Sequence, residues 1–134
     1  MLSWLKKMLA TEIDPQDTLG ARGENAAAKY LRELGYRIIT RNFKVEMGEI
    51  DIIARDGPTL VFVEVKTRVD DSIATPEAQV NEPKQHQITK VAKLYMSRYG
   101  SPRPPARFDV VSVLWPPGRA PQIKHLIDAF AATF

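Results

Sequence analysis

Residues 20–34, GARGENAAAKYLREL, place Ala27, Ala28 and Leu31 on one helical face with Glu24, at spacings of three, four and seven. Asp17 or Thr18 can cap this helix and Gly35 can end it, while Gly20 and Gly23 weaken its first turns. The period then changes. RIITRNFKV, residues 37–45, has strand composition, and Glu46-Met47-Gly48 turns the chain into two more β-branched and aromatic runs. Those runs, Ile50 to Ala54 and Leu60 to Val65, flank Asp56-Gly57-Pro58-Thr59, whose turn chemistry predicts a hairpin. Residues 69–81, VDDSIATPEAQVN, show no period and are long for a structureless connection, which marks them as a candidate functional loop. Asn81 can cap a second helix with Pro83 in its first turn, an apolar stripe of Ile88, Val91, Ala92, Tyr95 and Tyr99, and an end at Gly100. After the Pro-rich SPRPPA, RFDVVSVLW (107–115) reads as a strand and PPGRAP as a turn. QIKHLIDAF fits a short strand or a helix equally well.

The order is helix, three strands, helix, strand and a small C-terminal element, so the expected architecture is α/β, one sheet with helices packed against it. Residues 18–134 form a single domain in this reading, and residues 1–17 an extension, either a short helix or a frayed end. The extension starts MLSWLKKMLA, where Lys6-Lys7 interrupts the apolar residues before they reach the length of a signal peptide. No other run is long enough to span a bilayer, so the expectation is a cytoplasmic protein without a membrane partner.

Composition narrows the chemistry. At 44% hydrophobic and 26% charged the chain reads as a soluble globular domain. With no cysteine, disulfides, thiolate zinc sites and cysteine nucleophiles are excluded, which leaves oxygen ligands for any metal. The net charge of +3 leans weakly towards an acidic partner such as nucleic acid.

The hairpin carries charges where a core should not have them. Asp51, Glu64 and Lys66 fall inside the strands, where an unpaired buried charge costs several kcal/mol. Glu64 and Lys66, two apart, share a face with Leu60, Phe62 and Arg68, and Asp51 shares one with Glu49 and Ile53. A four-residue loop, Asp56 to Thr59, would pair Arg55 with Leu60 and set Asp51 opposite Glu64. Two facing carboxylates repel unless a cation lies between them, and Glu24, on the core stripe of the first helix, could join them. Hard oxygen donors of this kind suit Mg²⁺ or Mn²⁺. Spacing alone leaves an ordinary salt bridge on a solvated sheet face about equally well supported. His86 and His125 look isolated, and Asp109, read as beginning its strand, suits a local hydrogen bond or cap.

Asp51 followed thirteen residues later by Glu64-Val65-Lys66, on a hairpin within this element order, resembles the PD-(D/E)XK nuclease superfamily. More narrowly, RGENAAAKYLRELGYRIITRN, GEIDIIARDG, LVFVEVKTR and RFDVV are similar to the YraN family of small bacterial proteins, described as candidate endonucleases. The resemblance covers roughly residues 18–130 and implies a restriction-endonuclease-like core, a mixed sheet flanked by helices. It implies that Glu24 is a helix-borne acid as in Holliday-junction-resolvase-like members, Asp51 the first motif acid, and Glu64 and Lys66 the ExK pair. Asp51, Glu64, the Val65 carbonyl and Glu24 would then hold Mg²⁺ or Mn²⁺, with Lys66 acting on the attacking water or the phosphate. Lys84 and Gln85 match a Lys-Gln pair usual in the family, and Arg41, Lys44 and Arg68 are candidate phosphate contacts. The loop at Ile73-Ala74-Thr75-Pro76 departs from the aromatic-glycine pattern of relatives. The implied function is metal-dependent endonucleolytic cleavage of DNA, including branched or flap forms, with a homodimer as one way to set two sites across a duplex. Two rivals keep the fold without the chemistry: a nucleic-acid-binding module and a protein-interaction subunit.

Overall fold

The computed structural model describes residues 18–72, 75 and 80–133. The N-terminal extension and residues 73, 74 and 76–79 of the 69–81 loop, including Ile73, Ala74 and Pro76, lie outside the described residues. Helix α1, Leu19–Glu33, begins at Thr18, whose Oγ1 accepts the Ala21 N–H at 3.1 Å. It ends as the glycine predicts. Gly35, at φ +93°, lets its own N–H reach Arg32 O and the Tyr36 N–H reach Leu31 O, the two bonds of a Schellman turn.

Strands β1 (Arg37–Val45), β2 (Gly48–Asp56) and β3 (Thr59–Arg68) follow as an antiparallel meander. Arg55 pairs with Leu60 as expected, but Asp56 pairs with Thr59, so both strands are longer than their apolar runs and only Gly57 and Pro58 form the loop. Gly57, at φ +58°, supplies the left-handed residue so tight a turn needs. Helix α2, Glu82–Met96, starts at Asn81, whose side chain accepts the Lys84 N–H. It stops at Met96 rather than Gly100. The Ser97 hydroxyl donates to Leu94 O at 2.6 Å, a local bond that competes with helix continuation, although Tyr99 still packs on the core.

Strand β4 (Ala106–Leu114) runs parallel to β3 from Leu60↔Ala106 to Arg68↔Leu114, with α2 in the crossover. The undecided QIKHLIDAF segment is strand β5 (Gln122–Phe130), antiparallel to β4. Its period was hidden by an irregularity: the register shifts between Phe108 and Val110 while Asp128 takes φ +53°. The sheet order is β1-β2-β3-β4-β5, a mixed sheet with a helix on each face, consistent with a restriction-endonuclease-like core. No helix among the described residues is long and apolar enough to cross a membrane.

The two faces have separate cores. Ile88, Val91, Ala92 and Tyr95 of α2 pack on Ile50, Ile53, Leu60, Phe62 and Val110. Ala27, Ala28 and Leu31 of α1 pack on Ile52, Ala54, Val61, Val63, Val111 and Val113.

The histidines are not isolated. His125 Nε2 lies 2.8 Å from Asp109 Oδ2 and its Nδ1 lies 3.3 Å from the Tyr30 hydroxyl. Asp109, fully buried and the fourth residue of β4, also accepts from Arg107 Nε and from the Asp128 N–H, both at 3.0 Å. Arg107 in turn reaches Asp56 and the Tyr36 hydroxyl. Burial alone would raise the Asp109 pKa, yet His125, Arg107 and the Asp128 N–H hold it below its ordinary value. The network ties β5, through its irregular residue, to the rest of the sheet. His86 Nδ1 lies 3.3 Å from Thr133 Oγ1, which anchors the chain after β5.

Candidate active site

Strict alternation breaks at Asp51. Ile50 and Ile53 both belong to the α2-side core, whereas Ile52 and Ala54 belong to the α1-side core. On β1, Asn42 at φ +52° lies between the paired positions Arg41↔Ile52 and Phe43↔Ile50, so both strands distort at the same level. The β2–β3 ladder runs from Asp56↔Thr59 to Ile52↔Val63. Beyond it the Val65 N–H donates to Asp51 Oδ2 at 2.8 Å. A carboxylate thus takes the place of a backbone acceptor, and β3 continues towards β4.

Helix α1 brings its N-terminal half onto the end of β3 because Gly23 has no side chain. A Cβ there would lie 1.9 Å from Thr67 Oγ1 and 2.7 Å from Thr67 Cβ. This close approach sets Glu24 beside Asp51, and with Gly20, Val65, Lys66 and Thr67 they line a cavity of about 300 Å³. Arg41 Nη2 lies 3.2 Å from Glu24 Oε1, and the same guanidinium donates to Asn25 Oδ1 at 2.7 Å.

Glu64 is 7% exposed. Its Oε1 lies 3.5 Å from Lys66 Nζ and 3.8 Å from Lys84 Nζ, the latter supplied by the first turn of α2. Burial, and then the negative charge of Asp51, push its pKa to about 7 despite both lysines. Burial also raises Asp51 above its ordinary value, against the Val65 N–H bond, with Glu49 adding to the rise. Glu24 is raised by burial and by Asp51, with Arg41 opposing. Three acids from three elements therefore share a region where negative charge is unwelcome.

Among the described residues no group of three or more His, Cys, Asp and Glu side chains is assembled that could hold a metal ion unaided. The oxygens that could hold one are the carboxylates of Asp51 and Glu64 and the backbone carbonyl of Val65, while Glu24 is engaged by Arg41. Two carboxylates and a carbonyl fit Mg²⁺, which keeps several waters and needs few protein ligands.

The structure brings together Glu24, Asp51, Glu64 and Lys66, and adds Lys84 and Arg41 as their ion-pair partners. Gln85 is elsewhere: its Nε2 donates to Val80 O, beside a cavity of about 310 Å³ under β5. Lys44 is 73% exposed, with Nζ 3.8 Å from Glu49, and Arg68 ends β3, its carbonyl accepting the Trp115 N–H. Gly23 and Thr67 were not among the expected site residues. The signal for Gly23 was a glycine inside a helix, which reads as a weak turn unless a close approach is considered.

The model of the family described as "Uncharacterised protein family UPF0102" matches residues 23–113, which take in every acid and lysine of the site. A UPF0102 protein of Geobacter sulfurreducens is 48% identical over 116 residues, 87% of this chain and 91% of that protein. Another from Symbiobacterium thermophilum is 47% identical over 114 residues, covering 85% and 97% of the two chains. A third, from Nocardia farcinica, is 42% identical over 122 residues, covering 91% and 96%.

Proposed function

The chain belongs to the UPF0102 family, the YraN-like proteins, and from that premise we propose that it is a metal-dependent endonuclease that hydrolyses phosphodiester bonds of DNA. The observation that carries the reading is the convergence of Asp51, Glu64 and Lys66 at the end of the hairpin, with Glu64 pushed to about 7 by burial and its acidic neighbour. Asp51, Glu64 and the Val65 carbonyl would hold one or two Mg²⁺ or Mn²⁺ ions, with Glu24 contributing directly or through water. Bound there, the ion supplies charge neutralisation at the scissile phosphate and a lowered pKa for the attacking water. Lys66, 3.5 Å from Glu64, orients or deprotonates that water or stabilises the pentacovalent phosphorus. Lys84, whose Nζ lies 3.8 Å from Glu64 Oε1, would offer a second ammonium to the phosphate. Arg41 fixes the Glu24 carboxylate.

The test is incubation with linear, flap and four-way-junction DNA under Mg²⁺, Mn²⁺ or EDTA. Wild type is expected to cut with either metal and not in EDTA, and Asp51→Ala and Lys66→Ala to lose roughly 100-fold or more. Cutting retained by both variants would place the activity outside this site. The second reading is a binding module without chemistry, favoured by the lysines already on Glu64 and by Arg41 on Glu24. It predicts salt-sensitive binding, equal in all variants, with no cutting.

A further inference from the structure

Arg22 and Trp115 lie on the other flank of the α1–β3 crossing from the acids. Successive helical positions are about 100° apart, so with Gly23 against Thr67 the side chains of Arg22 and Glu24 leave α1 on opposite sides. Their partners agree: Glu24 meets Arg41 of β1, and the Arg22 guanidinium carbon sits 4.3 Å from the centre of the Trp115 ring, just past the end of β4. Trp115 is half-buried and packs on the α1-side core, so the ring has a fixed seat, while Arg22 above it is exposed. Among the described residues no acid forms a salt bridge with Arg22. The β3 register ties the pair to the site. Thr67 lines the cavity beside Lys66 and pairs with Val113, Arg68 pairs with Leu114, and the Trp115 N–H donates to Arg68 O at 2.8 Å.

We propose that Arg22, seated on Trp115, is a stacking platform for an unpaired base of a nucleic-acid strand whose backbone crosses the cavity lined by Glu24, Asp51 and Lys66. The inference rests on the nuclease reading and gives it a substrate class: strands with at least one unpaired nucleotide next to the scissile phosphate. A planar guanidinium backed by an indole presents a flat, cationic, sequence-tolerant face, the kind on which bases of single strands stack. A duplex keeps its bases stacked on each other and cannot offer one to this surface without opening.

The test reads binding in EDTA, apart from hydrolysis. The chain has two tryptophans, so the full-length Trp4→Phe protein reports Trp115 alone. It is titrated at low salt with a thymidine octamer and with an abasic octamer of equal phosphate count. The thymidine strand should quench Trp115 emission and bind about 5-fold or more tighter than the abasic strand. Arg22→Ala in the same background should bring the two affinities together, and Trp115→Leu should do so in the Trp-containing protein followed by anisotropy. Because Trp115 contributes to the core, the exposed Arg22→Ala keeps the test decisive if Trp115→Leu fails to fold. Equal binding of the two octamers, binding of neither, or an Arg22→Ala protein that keeps the base preference would each overturn the platform. DNA cutting in Mg²⁺ is measured in parallel. Cutting without base preference removes the platform alone, whereas base preference with quenching but no cutting removes hydrolysis and leaves the platform standing.

Discussion

Glu64 concentrates the electrostatic conflict of the site. Its pKa in the fold is about 7, against an ordinary 4.5, because burial and then Asp51 outweigh Lys84 and Lys66. A carboxyl raised in this way lowers stability only when ionised. The penalty is absent below about 4.5, grows as pH rises towards 7 and is complete above it. Glu64→Gln should therefore stabilise the metal-free protein at pH 8 by on the order of 1–3 kcal/mol, with the gain shrinking towards zero near pH 4.5. Urea unfolding at several pH values measures it, and a gain independent of pH would assign the effect to packing. The sequence made this residue visible: charge inside an apolar strand, two positions from Lys66 and expected opposite Asp51, needed a compensating partner. It did not show that Asp51 would spend one oxygen on the Val65 N–H, because that bond depends on the joint distortion at Asn42 and Asp51. Nor did it show Lys84 or Arg41 as partners, since each arrives from a separate element whose packing angle no local pattern encodes.

At the scale of elements, Gly23 and Thr67 fix how closely α1 approaches β3. Gly23→Ala should push the helix off the strand end and destabilise by about 1–3 kcal/mol, the usual cost of overpacking, against the helix propensity gained. Thr67→Ala should recover only part of that loss, because the Thr67 Cβ itself would lie 2.7 Å from the new methyl. Thermal melts of the two single variants and the double variant check this, and additive effects would mean that the two residues do not meet. Elements with clean local signals were readable in advance. Thr18 and Gly35 bounded α1, Asn81 opened α2, and RIITRNFKV coincided with β1 because both its ends are turns. Three features were not. The end of α2 was decided by a serine side-chain bond, the hairpin loop by pairing of Asp56 with Thr59, and β5 by a bulge that broke its alternation. The Asp109–His125–Arg107 network that holds β5 joins Asp109 to Arg107, two positions before it, and to His125, sixteen positions after it, and periodicity does not report the longer link.

For the molecule as a whole, the candidate site lies where both helix layers meet the far end of the sheet. Helix α1 contributes Glu24, the sheet Asp51, Glu64 and Lys66, and α2 Lys84, so the unfolded chain has no equivalent site. A cation taken up there binds the native state alone and must raise its stability, by about 2.7 kcal/mol at a hundredfold excess over Kd, or about 10 °C for a domain of this size. The gain depends on ionised acids. Since Asp51, Glu64 and Glu24 are all raised, protons compete with the metal, and the shift with Mg²⁺ or Mn²⁺ should be large at pH 8 and small at pH 5.5. Asp51→Asn keeps an oxygen for the Val65 N–H while removing a charge, so it should melt at or above the wild-type temperature in EDTA and yet lose most of the metal response. A fold defect would lower melting in both conditions, so the crossed pattern separates lost metal binding from lost structure. An equal metal shift in wild type and Asp51→Asn would locate the cation elsewhere on the protein and remove the chemical basis for hydrolysis at this site.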